Sequence, residues 1–209
     1  QGDTEICAAH NGSIFPVLLR DIFVQAWYQG GMSVIDFTDS TTPVEIAYFD
    51  RGPVNEEHLL LGGYWSTYWY DGRIYGTEIA RGVDVFKLLP SEHLSATEIA
   101  AASAADQGQR FNPQRQRRVS WPAKPVVGRA YLEQLERIDA LDAEMQQSVA
   151  EVLNEAAAVL AAGNTDRSLA RRLDKTARML ERQELDGQDE RRAAALADTL
   201  RGIGKRVAK

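Results

Sequence analysis

The sequence predicts a mixed fold, β first and α after, on three observations. Sixteen of the seventeen aromatic residues and all three histidines lie at or before Trp121, and only Tyr131 follows. Up to about residue 88 apolar residues alternate with period two, whereas beyond Val126 they recur every 3.6 residues. Charge divides the chain as well, with 5 basic against 15 acidic residues over 1–109, 5 against none over 110–124, and 14 against 15 over 125–209. The expected organisation is β-sheet over 1–105, a linker rich in proline and arginine over 106–125, and a small antiparallel helical bundle over 126–209.

In the first part, segments 22–28, 32–37 and 44–49 are short and rich in β-branched and aromatic residues. Turn chemistry at 29–31 and 39–43 separates them, so they read as antiparallel strands. After Gly62-Gly63 the order is repeated, with strands expected at 64–70, 73–79 and 83–88 and turns at Asp71-Gly72 and 80–82. Shifting the sequence by 51 places lays Gly82-Val-Asp-Val-Phe on Gly31-Met-Ser-Val-Ile, and Ile74-Tyr75 on Phe23-Val24. A repeat of that length is the size of a β-propeller blade. The first copy would use 5–17 as its inner strand, and 97–101 is a candidate outer strand for the second. Two blades leave sheet faces uncovered, because a propeller closes on about 4 to 8. Upstream blades of a longer protein are the expected completion, in keeping with a chain that opens on Gln1, and association of copies is the alternative. A small β-sandwich with a helical tail is the competing fold.

Gly30-Gly-Met-Ser-Val-Ile-Asp-Phe-Thr-Asp-Ser-Thr-Thr-Pro-Val-Glu-Ile-Ala resembles the repeat of the LVIVD family, in its Gly-aliphatic-x-Val-aliphatic-Asp-aliphatic core, its Asp/Ser turn and its Pro-x-Glu. The second copy keeps Gly82-Val-Asp-Val-Phe but has Lys87 where the family pattern has Asp. The likeness covers residues 5 to about 100, and the stretch 64–70 with its partner Glu78-Ile-Ala-Arg-Gly82 is similar to exported actinobacterial members. What the resemblance implies is a β-propeller of an exported bacterial protein, extracellular or in the cell envelope, with no single activity attached to the fold.

In the second part, Tyr131, Leu132, Leu135 and Ile138 share one helical face. Met145, Val149, Val152, Leu153, Ala156 and Leu160 form the next, from an N-cap at Asp142 to a stop at Gly163-Asn164. A third helix is expected from Asp166 with Leu169, Leu173, Ala177 and Leu180 inward, and a fourth from about Gln188. Pairs such as Asp174 and Arg178 read as a solvated face.

Composition and motifs exclude several functions. With 209 residues, 44% apolar, 26% charged and net charge −6, the chain can bury a core, and its aromatic half is too acidic to meet phosphates, so no nucleic acid is expected. No apolar run approaches the roughly 18 to 20 residues of a membrane span. Cys7 is the only cysteine, so no internal disulfide can form. Signatures of common hydrolases, nucleotide binders and zincins are missing from the sequence.

Candidate ligand-binding residues gather in the first part: His10 and Asn11, Glu56 and His58 in the loop entering the second repeat, and Glu78 and Arg81 around a turn. Loops are where a propeller presents its binding surface. The principal expectation is a binding scaffold without cofactor, contacting a protein or cell-envelope component through loop residues such as Asn55, Glu56 and His58. The alternative is a metal-dependent enzyme, in which His10 and His58 converge on a transition metal in the channel. A third reading makes the helices a docking element, which calls for an exposed apolar stripe on the last two. The aromatic run 64–70 is expected to pack between blades, with Tyr64, Tyr68 and Tyr70 on one face and Trp65 and Trp69 on the other.

Overall fold

The period-two segments form two antiparallel sheets within a compact unit of residues 1–120, and 121–209 form a second unit. The computed structural model describes residues 2–108, 112 and 118–209, so part of the expected linker, 109–111 and 113–117, lies outside the described residues. The first sheet runs β1 (Gly12–Phe15), β2 (Ile22–Ala26), β3 (Met32–Asp36), β4 (Val44–Phe49). The second runs β5 (Tyr64–Tyr70), β6 (Arg73–Glu78), β7 (Gly82–Phe86). Their hydrogen-bond registers correspond: Val24 pairs with Val34 and Gln25 with Ser33, and 51 places on, Tyr75 pairs with Val85 and Gly76 with Asp84.

The sheets stack face to face around one core. Ile22, Val24 and Ala26 of β2 and Met32 and Val34 of β3 are buried against Tyr64, Trp69 and Ile74. The Trp69 ring lies 4.1 Å from that of Phe15, and the Thr67 hydroxyl donates to the Val24 carbonyl at 3.1 Å. Gly76 lets the Tyr64 ring and the Met32 methyl close over β6, where a Cβ would lie 2.8 and 3.2 Å from them.

Three expectations are corrected here. The strand over 5–17 shrinks to β1, because Pro16 donates no ladder hydrogen bond and the chain before Gly12 crosses the sheet end, bridging Cys7 to Tyr28. Residues 97–101 are helical, inside α1 (Ala96–Ser103). Ser95 and Glu98 form a reciprocal capping box, each side chain taking the other's backbone N–H at 3.0 Å, and the alanines that follow favour helix. Finally, a bulge in β5 leaves Trp65 without a partner in β6, so Tyr64 pairs with Glu78 and Ser66 with Thr77. Trp65 is therefore 48% exposed while Trp69 is buried, and the two do not share an environment.

At the end of the sheets opposite the β2–β3 turn, Arg20 is almost fully buried between two carboxylates. Its guanidinium bonds Asp36 at 2.5 Å and Glu98 at 2.9 Å, and also the His93 carbonyl at 2.8 Å, so it ties the start of α1 to the first sheet. Burial alone would lower the Arg20 pKa, but the Asp36 hydrogen bond and the Glu98 charge hold it above the ordinary value. Burial likewise opposes the charge on Asp36, yet hydrogen bonds from Thr38 and Arg20 keep its pKa below the usual carboxylate range.

In 121–209, α2 (Pro125–Glu136), α3 (Ala143–Ala161), α4 (Arg167–Leu180) and α5 (Gly187–Val207) pack together, α5 touching the other three. Asp142 caps α3 through the Met145 N–H, and Asp166 caps α4 through those of Ser168 and Leu169. The Gly163 and Asn164 N–H groups return to the Leu160 and Val159 carbonyls, closing α3 in a Schellman motif. Ile138 does not share the buried face of α2, because the helix has ended by Arg137 and leaves it exposed. Nor do α4 and α5 carry the apolar stripe that a docking element calls for: among the described residues none of their large apolar side chains is exposed, since Leu169, Leu173, Leu196 and Leu200 turn inward. Among the described residues no helix is long and apolar enough to cross a membrane.

Candidate functional site

Antiparallel order brings every candidate residue to one end of the stacked sheets. β1 and β3 begin where β2 and β4 end, and β5 and β7 begin where β6 ends. A bridge between Tyr28 and Tyr64 joins these ends of the two sheets, and the Cys7–Tyr28 bridge adds the N-terminal segment. Segments 5–11, 27–31, 50–63 and 79–81 therefore share this end, and they hold His10, Asn11, Glu56, His58 and Arg81, with Glu78 at the last position of β6.

The bulge in β5 makes the most distinctive feature there. Trp65 projects outward, its ring 4.0 Å from the His10 imidazole and 5.9 Å from Tyr28, which is itself 5.1 Å from His10. His10 Nδ1 lies 2.5 Å from the Trp65 carbonyl oxygen, so the imidazole is pinned on the exposed indole. Asn11 donates to the Tyr68 hydroxyl at 3.1 Å and adds an amide to the rim of this patch. Tyr28 holds a positive φ of 55°, costly for a residue with a side chain. Hydrogen bonds both ways with Tyr64, at 2.8 and 3.2 Å, keep it there. Gly63 has φ 85°, and a Cβ on it would lie 2.0 Å from the Tyr28 backbone, so this joint between the sheets admits only glycine.

Below the patch, Glu78 is buried. Its Oε1 accepts the Gly63 N–H at 2.6 Å and lies 3.7 Å from Arg81, while Oε2 is buried without a hydrogen-bond partner among the described residues. Arg81 reaches from Glu78 to the Pro53 carbonyl at 3.4 Å, tying the long loop to the turn after β6. Beside it Arg51 bonds Asp84 at 3.1 Å, and Asp84 accepts the Tyr64 hydroxyl at 2.6 Å. The Tyr64 bond, followed by the Arg51 one, holds Asp84 below the carboxylate range, and burial plus that bond raises the Tyr64 phenol.

The third part is the loop. Asn55 Oδ1 accepts the N–H groups of Glu57 and His58 at 2.8 and 2.7 Å, an Asx turn that leaves Glu56 and His58 in solvent. Leu59, Leu60 and Leu61 follow, all exposed. The structure thus brings His10 and Asn11 together with Trp65, and Glu78 with Arg81, while His58 stands in its own loop. Among the described residues no three His, Cys, Asp or Glu side chains gather as metal ligands. Sequence reasoning missed Tyr28, Arg51 and Asp84, and placed Trp65 inside. The Gln29-Gly-Gly31 turn was the one available signal for Tyr28; the bulge that exposes Trp65 has none.

An exposed aromatic surface with imidazole and amide groups at its edge can stack on a planar or ring-shaped ligand and hydrogen-bond around it. Comparison with protein families, with curated proteins and with solved structures finds no match to this chain.

Proposed function

We propose that residues 1–105 are two blades of an LVIVD-type β-propeller, in an exported protein, and that the chain acts as a binding scaffold through the loop end. The repeat residues around Gly30 carry the family reading, and the common register of the two sheets supports it. In this reading the helices form a small bundle that follows the blades. The observation that carries the binding role is the exposed Trp65–His10–Tyr28 surface, with Asn11 at its rim, at the end of the sheets whose loops also hold Glu56, His58, Glu78 and Arg81. The occupant is a protein or cell-envelope component.

The test is co-sedimentation of the untagged chain with isolated bacterial cell-wall sacculi, alongside Trp65→Ala and His10→Ala variants, with elemental analysis of the same samples. Retention that falls about tenfold or more in both folded variants is expected. Equal retention of all three, or none by any, removes the role assigned to this surface. Stoichiometric metal that disappears in His10→Ala would replace the scaffold with the metal-dependent enzyme.

A further inference from the structure

The two sheets use opposite faces to meet each other. In the first sheet the face holding Val24, Met32 and Val34 is buried. Their counterparts 51 places on are Tyr75, Val83 and Val85, and Val83 and Val85 are 65% and 57% exposed. The second sheet instead packs through Ile74, Gly76 and Phe86. Their counterparts in the first sheet, Phe23, Gln25 and Ile35, lie on the opposite side from its buried residues.

Such a contact is heterologous, head to tail, and it leaves at each end of the stack the half that the other end matches. The open face of the first sheet carries Ile14, Phe23 and Ile35 as successive register partners, with Ile14 52% exposed and Tyr48 more so. The open face of the second sheet carries Tyr68, Tyr75 and Val85 in one row and Thr77 and Val83 in the next. The first face continues from Ile35 to Glu45, and the second holds Arg73 opposite Tyr70, so two largely apolar faces carry charges of opposite sign and are suited to cover each other.

We infer that these faces pair with each other between molecules, the open face of the first sheet in one copy seating on the open face of the second sheet in another. A second copy is the occupant because both halves of the contact are present in this chain, in the arrangement that already joins its own two sheets. The inference rests on the blade reading for the equivalence of the sheets, and it is independent of what the loop end binds. With two sheets per copy, a ring of about 4 to 8 blades closes on about two to four copies.

The test uses sedimentation velocity on the 209-residue chain and two double variants at exposed positions, Val83→Lys/Val85→Lys and Ile14→Lys/Tyr48→Lys. The unaltered chain associates as concentration rises, and each variant alone has its association weakened by about tenfold or more. Mixing the two variants restores a 1:1 dimer and nothing larger, because each keeps the half that the other lacks. A monomeric unaltered chain overturns the inference and assigns the faces to further repeats of a longer chain, which leaves the blade reading in place. A mixture that stays monomeric while the unaltered chain associates also overturns it, since another surface then holds the copies together. Variants that dimerise alone as well as the unaltered chain do the same.

Discussion

Arg20→Ala removes one guanidinium and leaves two carboxylates facing a site that water barely reaches. The Glu98 side chain is fully buried and that of Asp36 is 18% exposed, so their charges lose a cation they share where solvent screens poorly. Glu98 keeps the Ser95 N–H at 3.0 Å, but the bond to Arg20 goes, as does the tether to His93. Breaking a buried pair by deleting one partner costs about 3 to 5 kcal/mol, a large part of the roughly 5 to 15 kcal/mol that holds a domain folded. Urea unfolding followed by tryptophan fluorescence measures it, since Trp27, Trp65 and Trp69 lie within 1–120 and Trp121 alone lies beyond. Acid adds a signed check. Asp36 has a depressed folded pKa, so its contribution is complete above the unfolded value of about 3.9 and is lost as pH falls through the folded one. Arg20→Ala abolishes part of that depression, so its stability falls less steeply with acid than that of the unaltered chain. Adding Glu98→Gln, which removes one of the two facing charges, recovers part of the loss. A loss below about 1 kcal/mol for Arg20→Ala would refute the reasoning, because it would mean that the triad is solvated like a surface pair.

The bulge in β5 makes two neighbouring tryptophans unequal. Trp69→Ala is expected to cost about 3 to 5 kcal/mol, because it empties a site filled against Phe15, whereas Trp65→Ala costs under about 1 kcal/mol in the same denaturation assay. Gly63→Ala meets both a φ of 85° and a backbone 2.0 Å from the new Cβ, so it is expected to lower stability by more than about 2 kcal/mol and to speed amide exchange at Tyr28 and Tyr64.

Sequence alone determined the elements, because they follow from local physics. Alternation of apolar and polar residues laid out β2, β3, β4, β6 and β7, and the caps Asp142 and Asp166 with the Gly163 stop bounded the helices. It also drew attention to His10, Asn11, Glu56, His58, Glu78 and Arg81, since imidazole and paired charges near turns are visible as residue types. The places where it failed are of two kinds, local signals passed over and pairings that the sequence does not register. Residues 97–101 were expected as an outer strand, whereas the Ser95–Glu98 box, the alanines and the Arg20 anchor make them helix. Ile138 falls on the right period but lies past the end of α2. One extra residue in β5 inverted the fate of Trp65, and no period-two pattern registers a bulge that pairing with β6 creates. Only the tertiary structure decided that the segments holding the candidate residues share one end, because antiparallel pairing sets which loops are neighbours. It decided too that the sheets meet through opposite faces, since which side of a sheet becomes buried depends on the partner that arrives to cover it.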